Sequence, residues 1–488
     1  MGDSYFLSID FGTSSMKVIL YDSLFNNVSS ISSEMKTVHP KAIWAEQDQN
    51  LWYQNATTAI KGIIAKIGIA STDVKSIGMC GEMHGPTLVD KKGRPFMRCI
   101  IWPDLRATSQ AEAINKFYGS NRVSAHYTAA KLLWIKENYP EILDKAYKFL
   151  VPTDFLRTRF TGDFCTDATN AGGTNLFDRQ KMDWDWGLAD HIGLRHDLFP
   201  TIRETGEFSG QVTEDAARDS GLSEGTPVIT GGGDAPVTNM LLSQLEARNC
   251  LLIYLGTAPI TRIVTKEGKS ISMGTMSAGG GASLKWFNEQ FCLLEAELSK
   301  KTNGSPYELM NQEMSMIEPG SEGLVFIPHM MGERTPYNDY ARGVYFGLSL
   351  GHTREHMMRA LVEGITFQLR SYWEVAKAKE GIEPDFIIVY GGGSKSRFWR
   401  QLIADVFGYP VYKLKFDDLS PLHLAVMSAV ASGYYKSVQE AYNKVDLSLV
   451  ERLEPSKSQK DKLDKAYNLF KNVDKSLQGL YTAEHVIF

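Results

Sequence analysis

Residues 5–22 read YFLSIDFGTSSMKVILYD. Two alternating apolar runs, Phe6 to Asp10 and Met16 to Tyr21, flank Phe11-Gly12-Thr13-Ser14-Ser15, which is a β-hairpin pattern. The turn is small and hydroxyl-rich, with Asp10 before it and Lys17 after it. Such a turn is either an ordinary tight hairpin or a set of N–H and hydroxyl donors for phosphate oxygens. Residues 251–264, LLIYLGTAPITRIV, repeat the plan: apolar run, Gly256-Thr257, apolar run. One such hairpin opening each half predicts two related domains facing each other, with two phosphate-gripping turns across a cleft.

Just upstream of the second hairpin, residues 226–241 read TPVITGGGDAPVTNML. Val228-Ile229-Thr230 is a short β-branched run, read as a buried strand. Three glycines follow, then Asp234, then Ala235-Pro236 opening an apolar helical run. Glycines let backbone approach a ligand closely, and Pro suits a first helical turn. Asp234 is therefore a helix N-cap or a general base at a ligand-facing corner.

A chain of 488 residues is too long for one ordinary core, which predicts two domains. The hydrophobic share of 43% and charged share of 22% are those of a globular protein in water. A formal net charge of -5 gives no support for a nucleic-acid partner. Cys80, Cys99, Cys165, Cys250 and Cys292 are scattered and never form a CxxC pair, so a reducing cytoplasm is expected rather than disulfides or structural zinc. No apolar run is long enough for a bilayer, so no membrane partner is expected. The first residues show no basic stretch followed by an apolar leader core, and Phe6 replaces the Ser or Thr of a myristoylation signal.

Together DFGTSSMK, GTAPIT, GGGD and GGGSKSRFW (391–399) resemble the FGGY carbohydrate kinases, over nearly the whole chain to about residue 440. That family shares a superfamily with actin, hexokinase and a chaperone ATPase domain. The resemblance implies two actin-like (ribonuclease H-like) α/β domains with a nucleotide and sugar cleft between them. It implies phosphate loops at Asp10–Lys17 (with Thr13, Ser14 and Lys17) and at Gly256–Thr257. Asp234 becomes the catalytic base. Asp10 holds Mg²⁺ directly or through water. Gly392, Gly393 and Ser394 lie near the base and ribose of ATP.

Val74 to Asp90 brackets Gly81-Glu82-Met83-His84-Gly85, a strand end fit for a polar small molecule, although a lone His is more often a buried structural one. Trp102, Asp104 and Arg106 follow; they read either as sugar contacts, with the ring under the sugar face, or as a core Trp beside a surface ion pair. The MHG and W-x-D-x-R strings resemble the xylulokinase branch. Glu82 stands where Gln is usual and Pro103 where Asn is usual. The resemblance therefore implies ATP-dependent phosphorylation of a pentulose, most closely D-xylulose to D-xylulose 5-phosphate. Ribulose, gluconate or glycerol kinases, and an actin-like nucleotide-binding module without sugar chemistry, are the alternatives. A homodimer is a further expectation.

Elsewhere the residues read structurally. Asp48 caps a first long helix. Tyr127–Asn138 is a packed helix with a Lys-rich exterior. Residues 166–174 read equally as site or loop. Residues 277–286, SAGGGASLKW, read as a loop or hairpin. Phe386–Tyr390 is a strand buried on both faces. Leu424 takes the place of a family glycine, which implies a slightly remodelled adenine pocket. Domains are expected at 1–245 and 246–488, divided between Leu241 and Cys250, with a solvated C-terminal helix.

Overall fold

The computed structural model describes residues 4–242, 249–267, 269–277, 279–302, 304–416, 418–482 and 484–485. The chain forms two compact units. The first runs to Leu241 and takes in Leu419–Asp446, and the second comprises Leu242–Asp418 and Leu447–Phe488.

The first unit is built on β1 (Tyr5–Phe11), β2 (Ser15–Tyr21), β3 (Asn27–Glu34), β4 (Val74–Gly81), β5 (Phe208–Gln211), β6 (Pro227–Ile229) and β7 (Gly232–Gly233). The sheet order is β5-β6-β4-β1-β2-β3, with β7 also pairing β4. β1, β2 and β3 form an antiparallel meander. β4 runs parallel to β1, and β6 and β7 run parallel to β4. Phe6, Leu7, Ser8 and Ile9 are all buried, so β1 is covered on both faces. The helix Gln49–Ile67 buries Trp52, Ala56, Ile60 and Ile63 on one stripe. Asp48 caps it, accepting from the Asn50 N–H at 2.9 Å.

The second unit repeats this plan. Its strands are β8 (Cys250–Tyr254), β9 (Ile260–Val264), β10 (Ser270–Thr275), β11 (Phe386–Tyr390), β12 (Val411–Leu414) and β13 (Leu449–Leu453). The order is β10-β9-β8-β11-β12-β13. Again three antiparallel strands lead to two parallel ones and an antiparallel edge. The repeated hairpins are thus the visible part of a repeated sheet. β11 is buried at every residue, as its continuous apolar run requires.

Two expectations are corrected. A single division near residue 245 fails, because Leu419–Asp446 packs with the first unit. The stretch 243–248, where that boundary was expected, lies outside the described residues. The helix Leu419–Ala431 is almost wholly apolar and buries itself against the first sheet. Ser8 Oγ donates to the Pro421 carbonyl at 2.8 Å, and Ser76 Oγ to the Ser428 carbonyl at 2.9 Å. Leu424, expected to remodel an adenine pocket, is core: it clusters with Cys80, Ile229 and Val237. The expected C-terminal helix forms at Lys457–Leu477, with a solvated Lys-rich side and Leu463, Tyr467, Phe470 and Val473 buried on the other.

Candidate active site

Three strand ends meet in the first unit. Phe11 of β1 and Gly233 of β7 both stand opposite Gly81 of β4 in parallel register. The next residues along each chain therefore emerge side by side: the Gly12-Thr13-Ser14 turn, Glu82 and Asp234. Ligands of open α/β sheets bind beyond such carboxyl ends.

The hairpin turn closes through Gly12 N–H to Ser15 O at 3.0 Å, with Asp10 opposite Lys17. Asp10, Thr13, Ser14 and Lys17 are all partly exposed. The turn is held from beneath. Gln47 Nε2 donates to the Thr13 carbonyl at 2.8 Å, and its Oε1 accepts from Trp52 Nε1 at 2.9 Å. The Thr13 hydroxyl accepts from Trp102 Nε1 at 2.7 Å and donates to Glu82 Oε2 at 2.8 Å.

Asp234 heads the helix Asp234–Leu242 and is partly exposed. It lies in the first turn, where the helix N-terminus favours an ionised carboxylate. Its carbonyl accepts from Thr238 Oγ1 at 2.9 Å and Ser420 Oγ at 3.0 Å. The glycines before it serve protein packing, not the bare approach to ligand expected from sequence. A Cβ on Gly231 would lie 1.5 Å from the Met79 carbonyl, and one on Gly233 would lie 2.3 Å from Met83 Sδ. Gly233 N–H donates to Thr169 Oγ1 at 3.0 Å, and Thr169 is held by buried Asp167 at 2.5 Å. The polar segment 166–174 therefore supports the Asp234 corner.

Glu82 is 4% exposed, and its Oε1 has no hydrogen-bond partner among the described residues. Burial pushes its pKa up to about 7; the Asp234 charge adds to this, while the Thr13 hydroxyl and Lys131 oppose it. Lys131 is fully buried on the helix Thr128–Asn138 and donates to the Ile101 and His126 carbonyls, each at 2.8 Å. Burial pushes it down to about 7 against the pull of Asp104. Sequence reasoning treated this helix as packing alone and missed the charge beneath the site. A lysine among apolar helical neighbours was the available signal.

His84 adopts φ 74° and sits with Nδ1 2.5 Å from the Gly173 carbonyl. Nδ1–H donates there, so a neutral ring turns Nε2 to accept. Its ring meets Tyr127 edge-on at 4.8 Å. Met83 lies against Gly173 and Gly233, next to Asp234 in the chain. Met83 and His84 are thus brought to the Asp234 corner.

Trp102 joins them through Thr13, but Asp104 and Arg106 do not. Asp104 is fully buried. Its oxygens accept from the backbone N–H groups of Ala45 and Arg106 at 2.5 and 2.9 Å, and from the Arg106 guanidinium at 2.7 Å. That guanidinium also pairs with Glu46 at 2.8 Å and stacks 3.7 Å above the Trp44 ring. With these contacts made, the pair braces the Trp44-Ala45-Glu46 segment instead of facing a sugar. It is a buried ion pair, not the surface pair of the plainer reading.

In the second unit, parallel β8 and β11 end together. Leu255 N–H donates to the Tyr390 carbonyl and Gly393 N–H to the Leu255 carbonyl, each at 2.9 Å. This sets the Gly256-Thr257 turn beside Gly391–Ser394. Ser394 is buried, and its hydroxyl donates to Gly391 O at 2.7 Å. A Cβ on Gly392 would meet nothing within 4 Å, whereas one on Gly393 would meet Leu255 at 2.8 Å. Residues 277–286, expected as a loop or hairpin, open the helix Gly281–Phe291 instead. Gly281 N–H donates to Gly256 O at 2.9 Å, which places that helix's N-terminus on the Gly256-Thr257 turn. The glycine run was read as a turn alone, without the helix that follows it.

The N-terminal domain of the FGGY family of carbohydrate kinases matches residues 5–240, and its C-terminal domain matches 257–432. The chain belongs to this family. Among FGGY relatives, the xylulose kinase of Staphylococcus epidermidis is 30% identical over 97% of each chain. The gluconokinase of Bacillus subtilis is 24% identical over 98% of this chain and 97% of its own. The crystal structure of xylulose kinase from Lactobacillus acidophilus superposes with a TM-score of 0.79 at 22% identity, covering 98% of this chain and 99% of that one, which supports the two-domain actin-like kinase fold.

FGGY kinases use ATP, and both Gly-Thr turns fit phosphate: small, partly exposed and rich in N–H groups. Among the described residues no group of three or more His, Cys, Asp or Glu is placed to hold a metal ion. Asp10, partly exposed beside the first turn, offers the hard carboxylate oxygen that a phosphate-bound magnesium ion takes as a protein ligand. Among the described residues no helix is long and apolar enough to cross a membrane.

Proposed function

We propose that the protein transfers the γ-phosphoryl group of ATP to D-xylulose, giving D-xylulose 5-phosphate and ADP. The observation that carries this is Asp234, partly exposed at the head of its helix beside Glu82, Met83 and His84. Asp234 accepts the proton of the attacking sugar hydroxyl as the new O–P bond forms and the bond to the β-phosphate oxygen breaks. His84 Nε2 and the Trp102 ring orient the sugar. Thr13, Ser14 and Lys17 contact phosphate, and Gly256 and Thr257 form a second phosphate-binding turn. Gly392, Gly393 and Ser394 receive the adenosine. Asp10 would hold a magnesium ion bound with the phosphates, which would offset their charge.

The xylulose kinase relatives and the MHG string support a pentulose. Glu82 and Pro103 favour a second reading, in which another polyol such as gluconate or ribulose is the acceptor. ADP release with Mg-ATP against pentuloses, hexuloses, gluconate and glycerol decides between them: the acceptor with by far the highest kcat/KM is the substrate. No stimulation by any acceptor would leave only a nucleotide-binding module. Five buried free cysteines support a cytoplasmic setting. Sedimentation of the purified protein tests the expected homodimer.

A further inference from the structure

We propose that Glu82 is a positioning residue that carries a proton on Oε1 during turnover, and that phosphoryl transfer is lost when this proton leaves. The inference rests on the kinase reading and deepens it.

The hydrogen bonds place the proton. Thr13 Oγ1 accepts from the Trp102 indole N–H, which can only donate. The Thr13 hydroxyl hydrogen is therefore free to point at Glu82 Oε2, 2.8 Å away. Oε2 is an acceptor in that bond, so a proton on Glu82 resides on Oε1. That atom is buried and has no hydrogen-bond partner among the described residues. A bare carboxylate oxygen buried without a partner is costly, and a protonated one is much less so.

The register gives the proton a purpose. Glu82 follows Gly81, and Asp234 follows the Gly233 that stands opposite Gly81. Two adjacent carboxyl groups with unlike surroundings divide their roles: the buried one keeps its proton and the more exposed one ionises. Asp234 is partly exposed at a helix N-terminus, and Glu82 is 4% exposed. Once ionised, Glu82 would set a second negative charge between the base and the Thr13 turn, where phosphate must bind. A protonated carboxyl also offers one donor and one acceptor, as an amide does. This is the chemistry of the Gln that the family resemblance places at this position.

The titratable and charged groups around Glu82 are Asp234 on its helix, Lys131 beneath, and Cys99, whose thiol feels Glu82. Asp10 lies on neighbouring β1, paired with Cys80 two residues before Glu82, and His84 follows two residues along. Asp104 and Arg106 act on Lys131 behind them. Burial and Asp234 hold the proton on, and Thr13 and Lys131 work against it.

The test is the pH profile of kcat/KM for ATP at saturating acceptor, from about pH 6 to about pH 9. Wild type is expected to fall about tenfold per pH unit above the Glu82 titration. Glu82→Gln, which cannot ionise, is expected to lose that descending limb. Thr13→Val removes the bond that favours ionisation, so its limb is expected to move to higher pH. A limb that survives unchanged in Glu82→Gln overturns the assignment and points to Lys131. Should Glu82→Gln not fold, a Thr13→Val limb that stays in place overturns it equally. Wild type that shows acceptor-stimulated ADP release without such a limb defeats this inference alone. Wild type with no stimulated release at any pH defeats the kinase reading beneath it.

Discussion

Thr13 and Glu82, 69 residues apart in sequence, share a 2.8 Å hydrogen bond from hydroxyl to carboxyl. The bond ties the first hairpin turn to the strand end beside Asp234. Removing the hydroxyl leaves Trp102 Nε1 without its acceptor and Glu82 with a second buried oxygen lacking a donor. Thr13→Val is therefore expected to lower stability by about 1–3 kcal/mol, read as a shifted urea midpoint. It should also reduce kcat/KM for ATP, whereas Ser14→Ala, at a position whose backbone carbonyl is engaged by Met35 N–H, should change stability less.

Asp104 and Arg106 pair within the protein, so their loss should be felt in the fold. Asp104→Ala leaves the buried Arg106 guanidinium with Glu46 as its remaining carboxylate and is expected to cost roughly 3–5 kcal/mol, measured as a fall in Tm. The acceptor KM of whatever folded enzyme remains should change far less than in His84→Ala.

Gly392 and Gly393 separate ligand contact from packing. Gly392→Ala meets open space, so its Tm should match wild type while its KM for ATP rises. Gly393→Ala drives a Cβ to within 2.8 Å of Leu255 and should lower Tm as well. Differential scanning calorimetry beside ATP kinetics reads both.

In the second unit His329 is buried between Glu333 at 2.7 Å and Asp474 at 3.0 Å. Burial alone would lower its pKa, but the two carboxylates outweigh it and push the ring up to about 9. A folded value raised above the ordinary one gives stability that is full below about pH 6.5 and is lost as pH rises through about 9. Wild type should lose about 3 kcal/mol across that window in urea titrations. His329→Gln should lose little.

Much of this was legible in the sequence because it is local. The FGTSS and LGTAP turns announced themselves by alternation, and β11 by a run with no polar residue. Met83, His84 and Asp234 stood out because glycines surround them at strand ends. What was not legible depends on long-range packing. Nothing in the string LSPLHLAVMSAV says that this apolar helix returns to a sheet formed some 340 residues earlier, with Ser428 receiving a bond from Ser76 across 352 residues. Asp104 and Arg106 read as sugar ligands because the partners that bind them, Ala45 N–H and Glu46, lie about 60 residues away. The glycines before Asp234 looked open to ligand because their close neighbour, the Met79 carbonyl, belongs to another strand.

The most direct test of the account is ADP release by Asp234→Ala with Mg-ATP and D-xylulose, measured beside nucleotide binding by calorimetry. Loss of the base is expected to lower the D-xylulose-stimulated rate by roughly 10²- to 10⁴-fold while nucleotide affinity stays near wild type. A variant that keeps its stimulated rate within a few-fold of wild type would contradict the assignment of Asp234 as the base.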